Sequence, residues 1–179
     1  MQLSRPVIAR AAVQILDAYG LADVSMRRVA ASLDVAPGAL YWHIDSKQDL
    51  IAAMADEIVS PVLAETHEDP KAFCAALREA LLSHTDGADV VSAAAAQPDS
   101  PVFPTLMSGI RSSFPDSGRA IDAAAAGLLY LTLGAANLHQ AGTQLKELTA
   151  GSGNVRYGSA HELGQAIDLL LAGLNAKTR

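Results

Sequence analysis

Apolar side chains recur through this chain at helical spacing, and the punctuation between them separates short helices at the front from longer ones behind. Ile8, Ala12, Ile15, Leu16 and Tyr19 mark the buried face of a first helix. Ser4 stands where an N-cap is wanted and Pro6 falls in the first turn, where its missing N–H costs little. Gly20 is expected to close this helix in a left-handed conformation. A second helix is predicted from Ser25 to about Leu33, with Val29 and Leu33 as its apolar stripe. Ala30 is small enough there to let another helix cross closely. Asp34, Val35 and Ala36 form a three-residue connection to a short third helix, from Pro37 to near Ile44. Ser46 then caps a fourth helix, expected to reach about Ser60, where Pro61 bends or ends it. Ser46-Lys47-Gln48-Asp49 has capping-box spacing, with Asp where Glu is usual.

Downstream, helices are predicted over about 70–84, 88–96, 104–113, 117–148 and 160–176. Asp86-Gly87, "PDSPVFP" and "TAGSGNVRYGS" punctuate them. The fold class is therefore all-α. A three-helix helix-turn-helix unit is assigned to residues 1–48, with the fourth helix, about 46–60, as connector. A larger helical domain fills 61–179. Leu163, Ile167, Leu170 and Leu174 repeat at 4-3-4 spacing and suggest a seam for a second copy of the chain.

Composition supports this picture. Half of the 179 residues are apolar, enough for a sizeable core. Alanine and leucine dominate over β-branched residues, which favours helices. The single cysteine, Cys74, excludes an intramolecular disulfide and fits a reducing cytosol, so a cytoplasmic protein is expected. The opening "MQLSRPVIAR" lacks the apolar core of a signal peptide. The run Ala123–Ala136 is interrupted by Thr132 and reads as a buried helix too short to cross a bilayer, so no membrane role is expected.

The net charge of −6 argues against a protein that coats nucleic acid generally. It is unevenly spread. Residues 1–50 hold five basic and five acidic side chains, and residues 51–179 hold eight basic and fourteen acidic ones. Any phosphate contact therefore belongs to the neutral front.

That front contains "VAPGALYWHIDSKQDL", with the chain's only tryptophan between a tyrosine and a histidine. Leu40 and Ile44 lie one turn apart and point inward with Val35. Pro37, Gly38 and Tyr41 then share the opposite face, with Trp42 beside them, a face suited to a DNA major groove. Gly38 allows close backbone approach, and Lys47 stands at a helix N-terminus, a natural phosphate site. Spacing alone leaves a second reading open, in which Pro-Gly is an ordinary turn and the aromatics snorkel at a core edge.

"SMRRVAASLDVAPGALYWHIDSKQDLIAAM" resembles the DNA-binding domain of the TetR family of bacterial transcription regulators. "LYWH" followed by a lysine is similar to the tetracycline-repressor branch. "LREALLSHTDGADV", "YLTLGAAN" and "ELGQAIDLLLAGL" resemble segments of that branch's C-terminal domain, in the same order. The resemblance implies that Arg27 reads a guanine, a base whose O6 and N7 match the guanidinium fork. It implies that Pro37, Gly38 and Tyr41 face bases and that Ser25, Trp42 and Lys47 lie at or near the DNA backbone. Pro37 replaces a base-reading glutamine and Ala39 a phosphate-binding threonine common in the branch, so a different operator is expected.

The branch chelates a magnesium–drug complex through histidine and glutamate. At the aligned positions this chain has Val91, Tyr130 and Leu138, which offer a hard cation at most a phenol. Phe73, Leu77, Met107 and Leu129 align with other pocket positions. The resemblance thus implies an apolar cavity lined by Phe73, Leu77, Val91, Met107, Leu129 and Tyr130, for a small, largely apolar effector, or else a plain core. His67, His84, His139 and His161 share no metal-ligand spacing, and no metal or cofactor is expected. No Ser-His-Asp or Cys-His pattern has supporting context, so an enzyme is not expected.

The leading expectation is a homodimeric repressor released from a near-palindromic double-stranded DNA operator by such an effector. The alternatives are an effector-independent DNA-binding regulator, an activator, and a helical small-molecule-binding protein or enzyme without a DNA role.

Overall fold

The computed structural model describes residues 2–149 and 157–177, and these are helical with no strand among them. Nine helices follow in order: α1 Arg5–Tyr19, α2 Met26–Ser32, α3 Pro37–Leu40, α4 Lys47–Ala64, α5 Pro70–Leu82, α6 Gly87–Ala95, α7 Val102–Ser112, α8 Arg119–Thr149 and α9 Ala160–Lys177. A 3-10 turn, Leu21–Asp23, separates α1 from α2. Two compact units result. The first is the chain up to Pro61 together with Ala80–Phe103; the second is Val62–Glu79 together with the chain from Pro104 onward.

In the first unit, Ile8, Ala12, Ile15 and Leu16 of α1 are buried as their spacing requires. Tyr19, expected among them, is 60% exposed. The Arg28 guanidinium lies over its ring, 4.0 Å from the centroid, so a cation rather than the core covers this aromatic. Gly20 has φ 81° and ψ 170°, so it is not the left-handed cap expected. Its φ is positive but its backbone is extended, a region only glycine enters freely.

α4 does not end at Pro61; it runs on to Ala64 with the proline inside. A proline removes the N–H that would bond the carbonyl four residues back. Here that carbonyl, on Glu57, accepts the Ser60 hydroxyl at 3.2 Å, which reduces the cost of continuing.

In the second unit, α8 packs on α9. A Cβ on Gly127 would stand 2.9 Å from Leu170 Cδ1, so the missing side chain sets the closeness of that contact. Leu163 and Ile167 are buried, and Leu170 and Leu174 half-buried, within the chain itself. The stripe expected to form an outer seam therefore faces inward, against α8. Ser159 and Glu162 form the capping box of α9, each bonding the other's backbone N–H at 3.2 Å. By length and composition α8 is apolar enough to cross a membrane, which the interrupted run alone did not suggest. Its Leu128, Leu129, Thr132, Leu133 and Ala136 are buried in the unit.

Cys74 is fully buried in this second core. Burial pushes its thiol up to about 11 from an ordinary value of 9.0, with a side-chain contact to Thr132 opposing the rise. The folded state thus holds the proton more tightly than the unfolded state. Its contribution to stability is complete below pH 9.0 and is lost as pH climbs through about 11. Two outcomes are expected: folded protein at pH 8 resists iodoacetamide, with modification only on denaturation, and Cys74→Ala flattens the fall of stability in that alkaline window. Rapid alkylation of the folded protein would contradict this burial.

Candidate nucleic-acid interface

The interface candidate is built on a connection of three residues. Asp34 sits at φ 54°, the left-handed region that Asp tolerates better than most side chains. Val35 N–H bonds the Ala30 carbonyl at 3.0 Å and Asp34 N–H the Ala31 carbonyl at 3.3 Å. This nested pair is a Schellman closure of α2. It turns the chain within three residues and leaves Pro37 to begin α3. Sequence reading placed the connection but missed the left-handed residue, because aspartate announces it less clearly than glycine.

α3 proper spans four residues, shorter than the expected run to Ile44. Its hydrogen bonding nevertheless continues, since His43 and Ile44 N–H both reach the Leu40 carbonyl at 2.9 Å. Leu40 and Ile44 are fully buried. That anchorage drives the intervening side chains outward: Tyr41 is 53% and Trp42 87% exposed. Pro37, Gly38 and His43 are exposed with them. Snorkelling at a core edge does not describe an indole that far out.

A Cβ on Gly38 would meet nothing within 4 Å, and its φ is not positive. The fold therefore does not require a glycine here; an approaching partner would. Arg27 and Lys47 are exposed and form no ion pair among the described residues. Ser25 is exposed too, and its hydroxyl caps α2 by accepting Arg28 N–H at 3.2 Å.

Several other charges of this region are engaged. Arg28 pairs with Asp23. Asp17 faces His84 at 3.0 Å. Asp49 holds three partners: Arg5 Nη1 at 2.6 Å, the Asp45 N–H at 3.0 Å, and the Ser46 hydroxyl, which accepts its own N–H at 3.1 Å. The capping box thus closes on Asp45 instead of Ser46. Three of the five carboxylates in the neutral front are consumed internally, while Arg27 and Lys47 stay free. Arg5 and Asp49 lie 44 positions apart, so no local spacing signals their pairing.

The expected effector-contacting residues are distributed differently. Phe73, Leu77 and Leu129 are fully buried in the second unit, and Met107 is half-buried there. Val91 is fully buried in the first unit. Tyr130 is 61% exposed and lines a surface groove of about 370 Å³ with Leu138, Tyr157 and Gly158. Of the histidines, His67 bonds the Val62 carbonyl near the end of α4 at 2.8 Å and meets the Phe73 ring edge-on, a structural post.

Comparison with known proteins places this geometry. The profile of bacterial regulatory proteins, tetR family, matches residues 8–54. The class A tetracycline repressor from transposon 1721 of Escherichia coli is 31% identical over 157 residues, 79% of this chain and 69% of that protein. The chain belongs to the TetR family. The match spans about half the length of several other curated relatives. Among solved structures, BioQ from Mycobacterium smegmatis is 38% identical and superposes with a TM-score of 0.82, covering 98% of this chain and 99% of that one. BioQ solved with its natural double-stranded DNA operator is 38% identical, with a TM-score of 0.74 over 97% of this chain and 98% of that one.

The open space at Gly38 carries a stability prediction. Gly38→Ala should fold normally and gain about 0.5–1 kcal/mol, the usual penalty for glycine inside a helix. Thermal melting checks this; a large loss would mean that α3 needs the glycine for packing.

Proposed function

We propose that this chain is a DNA-binding transcription regulator, a repressor that acts as a two-fold homodimer in the bacterial cytoplasm. The observation that carries the reading is the outward cluster of Arg27, Pro37, Gly38, Tyr41, Trp42 and Lys47, set on a short, internally anchored helix. Residues 1–48 form the DNA-binding domain in this reading, with 46–60 as connector to the remainder. Arg27 reads a guanine edge in the major groove, and Pro37, Gly38 and Tyr41 lie against bases. Ser25, Trp42 and Lys47 hold the phosphate backbone. The likeness to BioQ, a protein solved with its operator, supports it.

The homodimer is supported by exposed apolar surface on the last two helices. Tyr130, Leu138, Leu145 and Leu148 of α8 and Leu169 of α9 are each at least 60% exposed. Exposed Gly134 and Gly173 lie on the same two helices and allow close approach. Such a face, covered by its two-fold copy, makes a four-helix contact. The operator is then a near-palindrome with half-sites about one DNA turn apart or a little more.

Effector release is the family-style part of the proposal: a small, largely apolar molecule in contact with Phe73, Leu77, Val91, Met107, Leu129 or Tyr130. Magnesium-tetracycline is expected to be a poor effector, because the resemblance to the tetracycline-repressor branch puts Val91, Tyr130 and Leu138 at its ligand positions. A second reading, a regulator without effector, is favoured by tight packing around Phe73. A Cβ on Gly109 would lie 2.7 Å from that ring.

Gel-shift titration against duplexes selected from a random pool tests the DNA reading. Arg27→Ala should cost about 1–3 kcal/mol and relax discrimination at one base pair. Lys47→Ala should weaken binding to all sequences and flatten its salt dependence. Tyr41→Ala should weaken specific binding with the fold intact, and unchanged shifts for all three variants would refute the assignment. For the dimer, light scattering at micromolar concentration should give twice the chain mass, and Leu138→Glu with Leu169→Glu should give monomers; a monomeric wild type would overturn the interface.

A further inference from the structure

Two carboxylates in the first unit join the end of α1 to the turn between α5 and α6. Asp86 Oδ2 accepts the Leu21 N–H at 2.7 Å. The Asp17 carboxylate accepts the Thr85 N–H at 3.1 Å and faces His84 Nδ1 at 3.0 Å, while its carbonyl accepts the Thr85 hydroxyl at 3.2 Å. The contact is close: a Cβ on Gly20 would stand 3.2 Å from Asp86 Oδ2.

Each residue carries a local cost, although Asp86 is also the N-cap of α6, a position where an acidic side chain is otherwise favoured. Asp17 lies in the last turn of α1, where the helix dipole prefers a cation. Asp86 has φ 53°, a left-handed conformation easier for glycine. Two locally costly choices meet in one contact, and such conflicts concentrate where a contact has a task beyond stability. The residues they hold are the last turn of α1 and the 3-10 turn that leads directly into Ser25 and α2. On the other side of the contact, α5 carries Phe73 and Leu77 and runs unbroken to Leu82, directly before the turn.

We propose that Asp17 and Asp86 are positioning residues, a clamp from the α5–α6 turn that holds α1 and the 3-10 turn so that α2 and α3 present a DNA-competent surface. The inference rests on the DNA-binding reading above. It assigns to the α5–α6 turn the task of passing any displacement of α5 to the DNA-contacting helices.

The test uses the full-length protein, a duplex selected by the wild type, and residue-resolved amide hydrogen exchange. Asp86→Gly removes the acceptor while relieving the left-handed strain, and Asp17→Ala removes the second carboxylate while improving the end of α1. If these residues served local stability alone, both variants would fold and bind DNA like the wild type. The clamp instead requires faster exchange at the Leu21 amide in Asp86→Gly and at the Thr85 amide in Asp17→Ala, with α2 amides accelerated in both. It also requires about tenfold weaker binding to the selected duplex. Asp86→Asn keeps an acceptor oxygen and tolerates the left-handed region, so it should restore exchange and affinity. Unchanged exchange in both carboxylate-removing variants overturns the clamp, as does Asp86→Asn binding as weakly as Asp86→Gly. Exchange is read without DNA, so a wild type that selects no duplex would refute the DNA reading while the Leu21 and Thr85 amides still decide the clamp.

Discussion

A four-residue helix has no stability of its own, because nucleation fixes several residues for almost no hydrogen bonding. α3 exists only because Leu40 and Ile44 are buried beneath it and because Asp34 accepts a left-handed conformation that ends α2 on time. The features of the proposed DNA surface follow from this constraint. With Leu40 and Ile44 committed to the interior, Tyr41, Trp42 and His43 have only solvent or a partner to face. With the turn closed by backbone bonds, Pro37 can begin the helix and Gly38 can leave its backbone bare.

The charge pattern follows the same logic. A neutral front with an acidic remainder is a poor start for binding a polyanion. The fold meets this by pairing charges internally. Asp23 is held by Arg28, and Asp49 by Arg5. The exposed Arg28–Asp23 pair contributes little to stability as a surface ion pair, and the Arg5–Asp49 pair is only part-buried. Their consequence is that Arg27 and Lys47 are left without an internal partner. Asp49 adds order as well: its carboxylate holds the Asp45 amide and Arg5 at the start of α1, while its own N–H is accepted by the Ser46 hydroxyl that caps α4.

In the second unit, small residues decide the arrangement. Gly127 brings α8 and α9 close, and the leucine stripe of α9 is consumed by that contact. What remains outside is a different set, Tyr130, Leu138, Leu145, Leu148 and Leu169. An exposed apolar face of this extent on two helices is unusual for a chain meant to stay alone.

The sequence by itself determined the all-helical class, the order of the helices and the caps at Ser25 and Ser46, because helical periodicity and N-cap chemistry are local; Ser4 makes no side-chain cap bond. It also determined the outward face of the recognition segment, since Leu40 and Ile44 one turn apart leave only one side for Tyr41 and Trp42. Local rules failed where a side chain finds an alternative partner, whether nearby or far along the chain. Pro61 continues a helix because Ser60 covers the freed Glu57 carbonyl; Tyr19 stays exposed because Arg28 stacks on it. The α9 stripe could face its own chain or another, and only the position of α8 decided which. The pairing of Asp49 with Arg5, and of Asp86 with the Leu21 amide, spans 44 and 65 positions. Periodicity carries no information over that separation, and tertiary packing alone brings such groups within hydrogen-bond reach.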